Sequence, residues 1–251
     1  MNGLSRRQFL QSTAALSGAS LLIGCSSNGQ VIVQPGEESI TDQLWLSVAA
    51  DNSIQLTVPA AEMGQGVNTS CAMLITEELG CAWQDVKVKT APWNKTFNNP
   101  SFRMQMTGGS TTISGYWEPM RKVGATARYL FLEAAAKRWQ TSSGTLLVEN
   151  GYVINSNGDQ LSFGELVAEA SSIEAPDDIA LKPLSEHQLI GTSVARVDTP
   201  AKTEGSAEFG IDVNFEGLKV ATIQHSPVLN GSVDSYNRNA ALAVKGVEDV
   251  V

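Results

Sequence analysis

The chain has 251 residues, 42% of them hydrophobic, with 22 glycines and a formal net charge of −9. That is enough apolar material to bury one large or two small cores. The acidic balance argues against nucleic acid and anionic membrane surfaces as electrostatic partners, which leaves small molecules and other proteins.

In chain order, residues 1–25 read as a leader. Ser5-Arg6-Arg7-Gln8-Phe9-Leu10 has the form of a twin-arginine signal, and the apolar stretch from Ala14 to Ile23 falls short of the roughly 20 residues that span a bilayer. Leu22-Ile23-Gly24-Cys25 resembles a lipobox, which would make Cys25 the acylated first residue of an exported lipoprotein. The alternative is cleavage elsewhere and a soluble periplasmic protein. Loss of Arg6 and Arg7 with the leader would take the charge from −9 to −11. Twin-arginine export carries folded proteins, often around a cofactor, so the leader itself hints at one. Residues 26–40, rich in Gly, Pro, Ser and acids, read as a tether, with globular structure expected from Thr41.

A hairpin is predicted next. "LWLSVAA" and "SIQLTVPAA" alternate in the two-residue period of half-buried strands, and Asp51-Asn52 supplies the turn. Gly64-Gln65-Gly66 then stands at a strand-to-helix corner, where the missing Cβ allows a tight turn and where helix N–H groups could meet an anion. The corner is not the dinucleotide fingerprint, since position 69 is Thr69. Cys71, Leu74, Ile75 and Leu79 recur at helical spacing over 67–79, and Gly80 occupies the C′ position. "VKVKTAP" reads as a further strand and 91–107 as irregular loop. "TGGSTTISG" is a second glycine- and hydroxyl-rich turn.

The helix after it is predicted from Glu118, with Pro119 in its first turn and Met120, Val123, Ala127, Leu130 and Ala134 as its apolar stripe. Arg121, Lys122 and Arg128 are expected on its surface. A start at Ser110 would instead put Pro119 inside the helix and kink it. Asn150-Gly151 marks a hairpin, followed by a short helix over 163–170. The composition shift at 171–183 predicts a domain boundary. Beyond it, two strands are expected across a Glu216-Gly217 turn, then the end of a helix and the start of another strand.

Side-chain chemistry narrows the function further. His187 and His225 are the only histidines, 38 positions apart, and no spacing suits a metal. If a helix runs between Cys71 and Cys81 they stand about 15 Å apart, beyond disulfide reach, so both are expected as buried thiols. An iron–sulfur cluster needs four cysteines, so any cluster belongs to another chain. No Gly-x-Ser-x-Gly elbow is present.

"EMGQGVNTSCAMLITEELG" (62–80), "TGGSTTISGYWEPMRKVGATARYLFLEAAAKRW" (107–139) and "IGTSVARVDTPAKTEGSAEFGIDV" (190–213), taken in order, resemble the molybdopterin-binding large subunit of the xanthine dehydrogenase and aldehyde oxidase family. The likeness is greatest to the isoquinoline 1-oxidoreductase β-subunit type. It implies an α+β fold: residues 41–182 as part of the molybdopterin-binding domain, and 183–251 as the start of an α/β hammerhead domain. It implies Met63, Gly64, Gln65 and Gly66 as one wall of a molybdopterin dinucleotide site, the nucleotide being cytosine in bacterial members, and Gly108, Gly109, Ser110 and Thr111 as the other. Molybdenum would be held by the cofactor's dithiolene.

Arg196, Asp198 and Lys202 match the hammerhead pattern and are expected as structural charges in a domain-opening turn. The family's general base, a glutamate, lies several hundred residues further along than this chain runs, and Glu62, Glu77 and Glu78 are not candidates for it; no catalytic or metal-binding side chain is assigned. The implied activity is oxidative hydroxylation of an N-heteroaromatic or aldehyde with water, electrons leaving to an iron–sulfur small subunit. The rest of the large subunit is the other expected partner, and the 251 residues alone should be inactive. The competing expectation is an exported lipoprotein with a truncated, non-catalytic cofactor-domain fragment.

Overall fold

The computed structural model describes residues 20–25, 31–35 and 44–251. The twin-arginine motif lies outside them. Contacts divide the chain into two units, Met1–Ser206 and Ala207–Val251.

The first unit is α+β and is built on a five-stranded sheet of order β2-β1-β3-β4-β5, comprising β1 (Ser20–Cys25), β2 (Val31–Pro35), β3 (Leu46–Ala49), β4 (Ile54–Val58) and β5 (Val86–Thr90). The predicted β3–β4 hairpin is present, with Asn52 in the left-handed region its turn requires. β4 and β5 are parallel, in the register Leu56 to Val88, and helix α1 (Val67–Leu79) makes the crossover between them. Gly80 ends α1 in the left-handed conformation, its N–H bonded to the Thr76 carbonyl.

Two expectations about the N-terminal segment need correcting. Among the described residues, sheet structure is already present at Ser20–Cys25, ahead of the expected start near Thr41, and the expected tether contains β2. β1 lies between β2 and β3, antiparallel to both, with Leu21, Leu22 and Ile23 all buried. A strand covered on both faces is apolar without alternation, which is why it reads as the end of a leader. Cleavage ahead of Cys25 would remove Ser20–Gly24 from the sheet, so lipidation of Cys25 and an intact β1 exclude each other in one molecule.

Helix α2 (Thr112–Trp139) starts six residues before the expected Glu118 and carries Pro119 inside it. An internal proline costs about 3 kcal/mol because its ring loses a hydrogen bond and crowds the carbonyl four residues back. That earlier residue is Gly115. The cost is offset by Tyr116, which is fully buried, packs edge-on to Trp45 and donates to the Phe97 carbonyl at 2.7 Å. The predicted stripe of α2 is buried throughout. Arg121, expected on the surface, is buried with it for a reason given below.

The Asn150-Gly151 turn joins β6 (Leu147–Glu149) to β7 (Tyr152–Ile154), and β8 (Gln160–Ser162) adds a third strand. Ser162 and Glu165 form a capping box on helix α3 (Phe163–Ala170). Phe163 stacks on Phe131 of α2 at 4.2 Å.

The first unit ends at Ser206, beyond the composition shift at 171–183. Glu77 accounts for this: its carboxylate accepts the Gln188, Leu189 and Ile190 N–H groups at 3.0, 2.7 and 3.0 Å, fastening the following segment to α1. A short helix α4 (Thr199–Glu204) closes this unit.

In the second unit the Glu216-Gly217 turn forms, but the two strands expected around it do not. The alternating Phe209, Ile211, Val213 and Phe215 are exposed, Ile211 by 93%. Strand pairing needs a neighbour for each backbone ladder, and none is present among the described residues of this unit, whose one helix is α5 (Arg238–Leu242).

Ile23→Asp places an uncompensated charge in the sheet core, so the full chain should lose more than about 3 kcal/mol of stability in a urea titration. An unchanged midpoint would show that folding does not use β1. Protein already processed ahead of Cys25 would be indifferent to the substitution.

Candidate functional site

The strand β4 runs into Pro59 and Ala60, and the chain then turns through Glu62-Met63-Gly64-Gln65-Gly66 into α1. Gly64 and Gly66 have φ of 102° and 86°, left-handed values that exact a steric cost from residues bearing a Cβ. Met63, Gly64 and Gln65 are exposed. The corner therefore sits at the carboxyl end of the parallel pair β4/β5, where open α/β sheets bind their ligands.

The helix N–H groups expected to be free at this corner are taken. Glu62 Oε1 accepts from Gly64 N at 2.8 Å and Gly66 N at 2.9 Å, and Oε2 accepts from Asn68 N at 3.0 Å. The protein supplies its own anion to the start of α1. Burial of Glu62 opposes ionisation, but the three N–H donors outweigh it and hold the carboxyl below its ordinary 4.5. Glu62 thus serves as the cap of this corner. Gln65, expected to face a ring edge, is folded back: its Oε1 accepts from Met63 N and its Nε2 donates to the Ala61 carbonyl.

The second turn is brought alongside the first. Ala61 N donates to Thr107 Oγ1 at 2.8 Å. Gln105 donates to the Pro59 and Pro92 carbonyls and accepts from Asn94 N, joining the loop after β4, the loop after β5 and the approach to α2. Gly109 and Ser110 follow with φ of 59° and 54°. A left-handed serine beside a left-handed glycine is backbone strain of the kind that gathers at binding sites.

Thr111, at the N-cap of α2, makes no side-chain cap bond. Its hydroxyl is engaged otherwise, donating to the Gly108 carbonyl and accepting from Asn99 Nδ2 at 3.1 Å. The first turn of α2 therefore keeps its N–H donors uncapped by side chains at an exposed glycine turn, a donor set suited to a phosphate or another anion.

All eight residues expected at the site lie on these two adjoining turns. Sequence reasoning missed Glu62 as cap, and Gln105, Thr107 and Asn99 as the ties between segments. The bonds from Gln105 and Thr107 to the corner span 46 positions, so no local pattern announces them. Cys71 and Cys81 are free and buried, as expected, and burial pushes both thiols up to about 12.

Glu77 and Glu78 belong to a buried charge cluster on the far end of α1. Arg121 donates to Glu78 from Nε at 2.9 Å and stands 2.7 Å away through Nη2, Lys182 N adds a bond, and Arg128 lies 3.5 Å off. That pairing explains why Arg121 is buried. Among the described residues no group of three or more His, Cys, Asp or Glu side chains is placed to hold a metal ion.

Glu62→Gln leaves one acceptor and an amide donor facing three N–H groups, and should cost about 1–2 kcal/mol at pH 7 by urea unfolding. The folded carboxyl titrates below 4.5, so its contribution is complete above that value and is lost as pH falls through the folded value. The difference between wild type and variant should accordingly shrink below pH 4.5; a constant difference would refute the capping role.

A family model described as the molybdopterin cofactor-binding domain matches residues 7–217, a span that takes in β1 and β2. The chain is 32% identical to a membrane-bound aldehyde dehydrogenase (pyrroloquinoline-quinone) of Gluconacetobacter polyoxogenes, over 97% of this chain and 32% of that protein. It is 29% identical to the beta subunit of isoquinoline 1-oxidoreductase from Brevundimonas diminuta, over 99% and 37%. It is 30% identical to a nicotinate dehydrogenase subunit from Pseudomonas putida, over 80% and 17%. A solved quinoline 2-oxidoreductase from Pseudomonas putida 86 aligns with 70% of this chain and 23% of that one, at 16% identity and a TM-score of 0.38. The chain spans about a third of the length of the first two curated relatives. The match over residues 7–217 shows that the chain belongs to the molybdopterin cofactor-binding domain family.

Proposed function

We propose that this chain contributes the first cofactor-binding walls of a molybdenum-dependent oxidoreductase, as part of a longer or multi-chain enzyme that hydroxylates an aldehyde or N-heteroaromatic substrate with water. The observation that carries the reading is the Ala61–Thr107 bond, which sets the Met63–Gly66 corner beside the Gly108–Thr111 turn in a chain of this family.

The residues fit a pterin dinucleotide with a division of labour. The α2 end offers uncapped backbone donors and would take the anionic pyrophosphate. The α1 end, already neutralised by Glu62, would take an uncharged part of the cofactor against the exposed backbone of Gly64 and Gln65. When bound, the group supplies oxygen transfer and two-electron redox chemistry; this chain's part is to bind and orient it. The dinucleotide is proposed to be the cytosine form, and the electrons to leave through an iron–sulfur partner protein.

Substrate selection and the general base are assigned to parts of the enzyme outside these residues. Location in the periplasm by the twin-arginine route is part of the same proposal, supported by the Arg6-Arg7 pair of the N-terminal sequence.

In the complete enzyme, Gly64→Val and Gly109→Val should each lower molybdenum content about tenfold, because a β-branched residue at positive φ costs roughly 1–2 kcal/mol and more where a neighbour is close. At Gly109 a Cβ would stand 3.3 Å from Phe102 Cζ. Metal analysis of the purified variants is the measurement, and normal molybdenum in both would refute the site.

A further inference from the structure

We propose that Arg196 is a positioning residue for the Gly64–Gly66 corner and that residues 195–198, braced by Lys202, form a latch across it. The proposal rests on the reading of that corner as cofactor-binding for its functional consequence, but not for its geometry.

The corner has little packing of its own. Met63 is 71% exposed, and two of the five residues from Glu62 to Gly66 are left-handed. Glu62 holds it from the inside. From the outside, Arg196 Nη1 donates to the Gly64 carbonyl at 3.1 Å, and Nη2 lies 3.5 Å from Glu62 Oε1. The guanidinium is itself aimed: Nε and Nη2 engage Asp198 Oδ1 and Oδ2 at 2.9 and 2.7 Å in a bidentate fork, and Lys202 Nζ holds the same carboxylate from α4 at 2.5 Å. Two further bonds tie the segment to its surroundings, from Val197 N to Thr69 Oγ1 at 3.2 Å and from Trp83 Nε1 to the Ala195 carbonyl at 3.3 Å.

Fixing the Gly64 carbonyl has a geometric consequence. In a planar trans peptide the carbonyl of one residue and the N–H of the next point in opposite directions. With the Gly64 carbonyl turned to Arg196, the Gln65 N–H is turned away from the latch. Arg196 thus acts through the backbone, setting which way a main-chain donor of the corner faces.

Simple charge pairing does not account for the arrangement. The Arg196 side chain is 39% exposed, and exposed ion pairs contribute little to stability. What the fork supplies is direction, which a lysine cannot reproduce because it lacks the planar set of donors. The latch is therefore expected to govern local order at 62–68 while leaving global stability almost unchanged.

Hydrogen exchange by mass spectrometry on the full chain tests this. In Arg196→Gln, the amides of Gly64, Gly66 and Asn68 should exchange about tenfold faster, while the 163–170 peptide and the unfolding midpoint stay as in wild type. Arg196→Lys should not restore protection. Should Arg196→Gln fail to fold, Asp198→Asn decides, since it releases the guanidinium without removing it and should give a smaller acceleration confined to the same amides.

Unchanged exchange at 62–68 in the folded variants, or full rescue by lysine, overturns the latch. In the complete enzyme Arg196→Gln should also lower molybdenum content severalfold. Faster exchange with normal molybdenum would confirm the latch and remove the corner from the cofactor site.

Discussion

The site depends on the crossing of α1 and α2. At Gly124 a Cβ would stand 2.3 Å from the Ile75 carbonyl, so the two backbones meet there with no room for a side chain. Beside that contact, Glu78 of α1 and Arg121 of α2 form a buried pair, with the Lys182 N–H and Arg128 adding to it. Each helix begins at one of the two glycine turns, so the crossing sets how far apart those turns stand. Breaking a buried pair strands a charge and commonly costs about 3–5 kcal/mol. The pair matters less as a source of stability than as a registration mark between two helices whose other ends must cooperate.

The two helix starts are treated differently in electrostatic terms. α1 receives a carboxylate from four residues before Gly66, and that carboxylate is held ionised by the backbone donors it satisfies. α2 has no acidic residue in its first turn, and the Thr111 hydroxyl at its N-cap is committed to Gly108 and Asn99. Two turns that look alike in sequence thus differ in what they can still bind: one offers shape, the other donors. A dinucleotide cofactor carries both requirements, an uncharged ring system and a charged bridge. The asymmetry between the two turns is what the proposed ligand would call for.

Helical features were legible because their signals are local. The apolar spacing of α1, the Gly80 cap, the short 163–170 helix and the α2 stripe all rest on signals within a few residues of what they specify. The glycine turns were legible too, along with the buried thiols. The start of α2 was not, because Pro119 argues against a helix locally and only the burial of Tyr116 beneath Trp45 overrides it. Arg121 looked like a surface residue for a related cause: its partner lies 43 positions away. The capping role of Glu62 escaped notice because the carboxylate reaches forward over two left-handed glycines, outside the usual capping pattern.

Strands were the weaker part of the reading, and one physical reason covers both errors. A strand is stabilised by its neighbours, so its own pattern states only what it could pair with. Leu21-Leu22-Ile23 shows no alternation, yet it is paired on both sides and covered by α2 and α3. Phe209 to Phe215 alternate in the expected period and remain unpaired, their apolar side chains in solvent. Those side chains carry the pattern of a half-buried sheet face, and apolar surface of this kind becomes stable only against a second surface.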